Sequence, residues 1–284
     1  MNDTARDGEG MRTGRGESHP LPPRAFILDC FGRGGSNIVW NMIGSSPDVL
    51  VPSREWHQGV FGQHHRLRKT MRAMGRVLDW NAVPGFTRIA ATRTARTISP
   101  EAWAEKPDAT ATVLKVMGFH IVFASAIEAG FAWSRHIVLM RHPLPMCESL
   151  IRSGESERKA AAIYNDIAAN MAKAARRPDT LSVRFEDMIA DPASFYRRLA
   201  ADLALPPPPD GLVRFMQKKY GAARTTADHG GREVVRIAPE ELRERIDANV
   251  NRDAVARLTA EQRRRLWQAT ADAAATLGYG ETDF

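Results

Sequence analysis

Two cysteines in 284 residues, Cys30 and Cys147, are too few for a disulfide framework. Both sit in apolar stretches, where reduced core thiols are expected. No run approaches the ~20 consecutive apolar residues that span a bilayer. The stretch 1–24 is polar, rich in Gly, Arg and Asp, and lacks the apolar centre of a secretory signal. It reads as a disordered leader before a single domain over 25–284, and the chain is expected to be cytoplasmic. Eight histidines, including the pair His64–His65, occur without the carboxylate or thiolate spacing of a zinc site, so no metal is expected. Nor does any helix-turn-helix, zinc-finger or RNA-binding signature occur, which argues against a nucleic-acid partner.

What is present is an ordinary soluble composition, 43% hydrophobic and 26% charged, with a net charge of +7. The charge is unevenly placed. Residues 61–100 hold eight basic residues (Arg66, Arg68, Lys69, Arg72, Arg76, Arg88, Arg93 and Arg96) against Asp79 alone, a surplus equal to that of the whole chain. Such a concentration points to an anionic partner. Within it, 65–80 has helical spacing, with Leu67, Met71, Met74 and Leu78 on one face and Arg68, Arg72 and Arg76 on another. Residues 81–110 read as loop-rich. Strands are expected at 25–31, 111–117, 136–140 and 181–185, and helices from 38, near 123–129, after Pro143, over 157–176 and after Asp191-Pro192. The tail reads as two helices near 239–249 and 260–277, the second opened by Thr259 and Gln262 in capping-box spacing. Strands alternating with helices imply an α/β fold: a P-loop-like, mainly parallel sheet with helices on both faces and a helical C-terminal extension.

Two segments carry the chemistry. Strand 25–31 runs into Gly32-Arg33-Gly34-Gly35-Ser36-Asn37 and then a helix. Glycines let backbone approach a ligand, and successive N–H groups at a helix start cradle an anion. The turn lacks the G-K-[ST] of a Walker A loop, and with it the hydroxyl that holds Mg²⁺, which counts against an ordinary ATPase or kinase. The second segment is Arg141-His142-Pro143, directly after an apolar strand, followed by Ser149. It places an arginine at the carboxyl end of a strand, where open α/β sheets bind ligands.

Together these segments resemble the sulfotransferases that use 3′-phosphoadenosine 5′-phosphosulfate (PAPS), over roughly 25–60, 111–153 and 181–204. In that superfamily a turn such as G-R-S-G-T-T holds the 5′-phosphosulfate, and here Arg33, Gly34, Gly35, Ser36 and Asn37 occupy it. An R-x-P with a serine eight residues after the arginine holds the 3′-phosphate, matched by Arg141, Pro143 and Ser149. A Y-E-D-[ML]-x-x-D-P segment is matched by Phe185 to Pro192, with Phe185 in place of a tyrosine near the adenine. Gly230-Gly231-Arg232 resembles a late basic loop over the 3′-phosphate; Arg232 is a donor-site candidate, with Arg236 an equal one.

The resemblance implies transfer of a sulfuryl group from PAPS, without a metal, to a hydroxyl of an acceptor, first among candidates a carbohydrate or glycolipid, with an anionic one suited to the basic stretch. Arg33 would stabilise the leaving phosphate oxygen. The general base would be Glu55, which fits the glycan- and tyrosine-sulfating branch with a shift of a residue or two; His57 follows, then His120. The histidine of the cytosolic K-T-H segment is absent, the segment here being Lys115-Val116-Met117. Arg68, Arg72 and His120 are the acceptor-side candidates. Two other readings stay open: a P-loop-type nucleotide phosphotransferase, and a non-catalytic nucleotide- or anion-binding protein.

Overall fold

The computed structural model describes residues 20–61, 83, 85–218 and 232–284; the side chains of Gln217, Lys218 and Arg232 also fall outside the description. Five strands form one parallel sheet: β1 (Arg24–Cys30), β2 (Val49–Leu50), β3 (Ala111–Met117), β4 (Trp133–Met140) and β5 (Leu181–Arg184), in the order β2-β3-β1-β4-β5. The fold begins slightly before residue 25: Arg24 opens β1, and Leu21 packs against Leu50 and Ile98. β1 is the central strand, and Ala25 to Cys30 are buried on both faces, so its sequence is an apolar run rather than an alternation.

Helices cover both faces. On one, Phe26, Leu28 and Cys30 pack against α1 (Ser36–Ile43), α8 (Phe185–Ala190) and α9 (Pro192–Asp202). Between α1 and these come α2 (Trp56–Phe61), α3 (Phe86–Ala95), α4 (Pro100–Glu105), α5 (Ala124–Glu128), α6 (Pro143–Ile151) and α7 (Glu157–Ala175). The opposite face joins Ala25, Ile27 and Phe31 to α2, α3, α5, α6 and α7 and to the last helix. After α9 the chain forms an antiparallel hairpin, β6 (Val213–Lys218) with β7 (Arg232–Ile237), then α10 (Leu242–Arg245), α11 (Val250–Ala256) and α12 (Ala260–Thr276).

Three expectations are corrected. Residues 81–110 contain two helices. The second has Ser99 as its N-cap, accepting from Ala102 N, and Pro100 in its first turn; the first, with its run of Arg, Thr and Ala, has little apolar periodicity to announce it. The region 239–249 is not one helix but a 3-10 turn (Pro239–Glu241) and α10, stopped where Ile246 turns extended. The hairpin was not expected. The basic helix at 65–80, with Arg68 and Arg72, lies outside the described residues.

Topology fixes where a ligand can enter. From β1 the chain leaves through α1 toward β2, on one side; from β4 it leaves through α6 and α7 toward β5, on the other. Neighbouring strands whose exits diverge open a crevice at their carboxyl ends. Among the described residues no helix is long and apolar enough to cross a membrane.

Beneath the sheet lies a charged cluster. His136 Nδ1 is 2.5 Å from Asp29 Oδ2 and its Nε2 is 2.7 Å from Glu128 Oε1, while Arg177 Nη1 lies 2.5 Å from the same Glu128 oxygen. Burial opposes the charge on His136, but hydrogen bonds to Asp29 and Glu128 prevail and carry it up to about 9.

Candidate functional site

The crevice between β1 and β4 begins with the glycine turn. Gly35 sits at the N-cap of α1 in the left-handed region (φ 73°), and no side chain caps the helix. A Cβ on Gly35 would lie 2.4 Å from the Phe185 ring, so only glycine lets the turn pass this close to α8. Arg33 is exposed and holds φ 104°, a strained conformation for a residue with a side chain. The strain marks a place where the guanidinium is kept at the expense of an easier glycine. Gly34 and Ser36 are buried beneath it.

Arg141, the first residue after β4, is 5% exposed. Its Nε and Nη2 donate to Asn251 Oδ1 at 3.0 and 2.7 Å, its Nη1 donates to the Arg33 carbonyl, and the guanidinium lies 4.3 Å over the Phe185 ring. These acceptors are neutral. Among the described residues no carboxylate forms a salt bridge with Arg141, and one N–H on each Nη has no acceptor. Burial pushes its pKa down to about 10, with Glu186 opposing, and it stays protonated at neutral pH. The result is a buried cation with a two-pronged edge and no counter-ion bonded to it, the arrangement that suits a phosphate.

The surrounding turn is held from the C-terminal part of the chain. Glu186 accepts from His142 N (3.1 Å), Asn251 Nδ2 (2.8 Å) and Tyr279 Oη (2.7 Å). His142 is buried and stacked on Trp267 at 5.8 Å, with its Nε2 2.9 Å from the Gly280 carbonyl. Burial pushes it down to about 4, so it is neutral.

A second cluster forms at the end of β3. Lys115 is 2% exposed, and such burial is rare for lysine without a partner. Its Nζ lies 2.8 Å from Glu55 Oε1, donates to Asn37 Oδ1, and sits 5.0 Å over the Trp40 ring. Glu55 Oε2 is 3.6 Å from His57 Nδ1 and 3.5 Å from Gln58 Nε2. The His57 ring stacks on His120 at 4.2 Å, and His120 Nδ1 is 3.0 Å from the Met117 carbonyl. One cluster thus gathers Asn37, the neighbours Glu55 and His57, and His120, from three separate stretches of the sequence.

Other candidates are placed apart. Ser149 is buried two turns into α6, and no described bond joins it to Arg141. Arg232 opens β7, opposite Lys218. Arg236 points elsewhere: its guanidinium is 2.7 Å from Asp210 and 3.8 Å from Glu105. Sequence reasoning missed Lys115 as a site residue, although a lysine inside the apolar strand Ala111–Met117 was a usable signal. It also missed Asn251, for which a polar residue in a short helix far from the motifs gives none.

A family description, "Sulfotransferase family", matches residues 23–210. No curated protein matches the chain. Among solved structures, the sulfotransferase domain of the Synechococcus PCC 7002 olefin synthase aligns at a TM-score of 0.55 and 19% identity, over 92% of this chain and 97% of that one. The sulfotransferase domain from the curacin biosynthetic pathway gives 0.54 and 19%, over 92% and 99%. At that identity the structural likeness concerns the fold.

Proposed function

The chain belongs to the sulfotransferase family, and on that premise we propose that it moves a sulfuryl group from PAPS to a hydroxyl of a carbohydrate or glycolipid acceptor. The observation that carries the donor assignment is Arg141: a buried guanidinium that, among the described residues, donates to neutral oxygens alone, beside a helix N-terminus that no side chain caps. A nucleotide with phosphates at both ends of its ribose supplies an anion to each. The residues present fit such a group: Gly34, Gly35, Ser36 and Asn37 would hold the 5′ side, Arg141 and Ser149 the 3′-phosphate, and Phe185 an apolar floor, with Arg232 a further candidate at the 3′ side.

Bound PAPS supplies an electrophilic sulfuryl group with a phosphate as leaving group. Arg33, exposed on the turn, would supply positive charge to the phosphate as it leaves. Lys115 holds Glu55 and Asn37 together at the floor, fixing the carboxylate relative to the turn. Glu55 would accept the acceptor's proton, with His57 next to it as the group that either orients it or takes its place. His120, stacked on His57, would border the acceptor hydroxyl. The acceptor class rests on the carboxylate base and on basic charge nearby: Arg88, Arg93 and Arg96 are exposed on or just after α3, which packs against α2. Arg68 and Arg72 would extend that charge toward an anionic glycan.

Calorimetric titration with adenosine 3′,5′-bisphosphate, with ADP and ATP as controls, tests the donor. Selective binding of the 3′-phosphorylated nucleotide is expected, followed by sulfuryl transfer in a screen of glycans and glycolipids. Equal or tighter ATP binding would overturn the donor assignment and favour a phosphotransferase.

A further inference from the structure

Asn251 lies on α11, beyond the residues that the family description covers, and is 1% exposed. Its amide has two faces, both in use. The oxygen accepts from Arg141 Nε and Nη2, and the nitrogen donates to Glu186 Oε1 at 2.8 Å. A buried arginine and a half-buried glutamate that share one amide would ordinarily pair directly, which neutralises both. The amide stands between them. It satisfies the arginine with a neutral oxygen and the carboxylate with an N–H, so the cation keeps its charge and two of its N–H groups.

We propose that Asn251 is a positioning residue for the donor, an amide spacer that keeps Arg141 out of an ion pair with Glu186 and so available to the 3′-phosphate. The proposal rests on the PAPS reading above. It differs from a packing role in what it predicts. A spacer matters to ligands that carry a 3′-phosphate and not to those that lack it. Its loss should also be relieved by removing the carboxylate it screens.

The test compares binding of adenosine 3′,5′-bisphosphate with binding of adenosine 5′-monophosphate, by calorimetry on the full chain, with thermal unfolding measured for each variant. Asn251→Asp puts a carboxylate directly on Arg141; affinity for the bisphosphate should fall ~100-fold, while that for the monophosphate changes less than about threefold. Asn251→Ala lets Glu186 reach the guanidinium, with a ~10-fold loss of the same selectivity. Adding Glu186→Gln to Asn251→Ala should recover most of it, a non-additive result that a simple packing defect does not give. The proposal is overturned if both single variants keep the wild-type selectivity, or if both nucleotides weaken equally and the double variant is worse still. A wild-type protein that does not distinguish the two nucleotides overturns the donor reading itself, and the proposal with it.

Discussion

β4 buries charge at both ends, and does so in opposite ways. Near its start, His136 is clamped between Asp29 and Glu128, with Arg177 on Glu128: two carboxylates against two cations, matched within the protein. Just past its end, Arg141 donates, among the described residues, to neutral oxygens alone, and its neighbour His142 is held neutral by burial. The strand and the turn that follows it thus carry a histidine raised to about 9 and another lowered to about 4, six positions apart. Where buried charge serves the fold, it is closed into pairs. Where it is left open, at the mouth of the crevice, it offers the unpaired cation on which the proposed donor site rests.

This contrast can be broken by substitution. The largest effect should come at the mouth, from Arg33→Gly. It removes the guanidinium while relieving the strained backbone at φ 104°, so turnover should fall ~1000-fold with no loss of thermal stability. A parallel fall in melting temperature would give Arg33 a structural role instead. At the foot, His136→Ala strands Asp29 and leaves Glu128 to Arg177 alone, and should cost about 3 kcal/mol in denaturant unfolding, leaving nucleotide affinity unchanged. Arg141→Ala should do the reverse, weakening adenosine 3′,5′-bisphosphate ~100-fold in calorimetry with a smaller effect on unfolding. If it unfolds the protein as His136→Ala does, the two ends are alike after all. Glu55→Gln should lower turnover ~30-fold with donor affinity nearly constant; full activity would move the base to His57.

The smallest effect is in the pH dependence of stability. The folded value of His136 lies above its ordinary 6.5, so its contribution is complete below about pH 6.5 and fades as pH rises through about 9. His142 lies below, so its contribution is present above about pH 6.5 and fades as pH falls toward about 4. Stability should therefore peak near neutrality by ~2 kcal/mol, and His142→Phe should flatten the acid limb alone.

How much of this was legible in the sequence follows from the range of each interaction. β1, the glycine turn and α1 are contiguous, so the apolar run, the glycines and the following periodicity announced them. Arg141 was legible because it directly follows an apolar strand. The helices within 81–110 were not, since Phe86–Ala95 is held by a few buried residues, Phe86, Ala90 and Thr94, amid exposed Arg and Ile. Nor was the hairpin, whose six-residue strands are interrupted by charges, Arg214 and Lys218 in one and Arg232, Glu233 and Arg236 in the other. Lys115 reads in sequence as part of a strand, yet its partners are Glu55 and Asn37, sixty and more residues earlier. Glu55, His57 and His120 were ranked as rival bases; the fold puts them in one cluster, which no spacing rule could foretell.

The bonds that fix Arg141 come from Arg33, 108 residues before it, and Asn251, 110 residues after it. A site tied across such separations has no local nucleus. It is expected to form late in folding, after the sheet has closed and the C-terminal helices have docked. During synthesis the proposed nucleotide pocket therefore cannot mature until Asn251 has emerged, so a chain halted before it would carry every recognisable motif of the proposed donor site and is expected to bind adenosine 3′,5′-bisphosphate poorly.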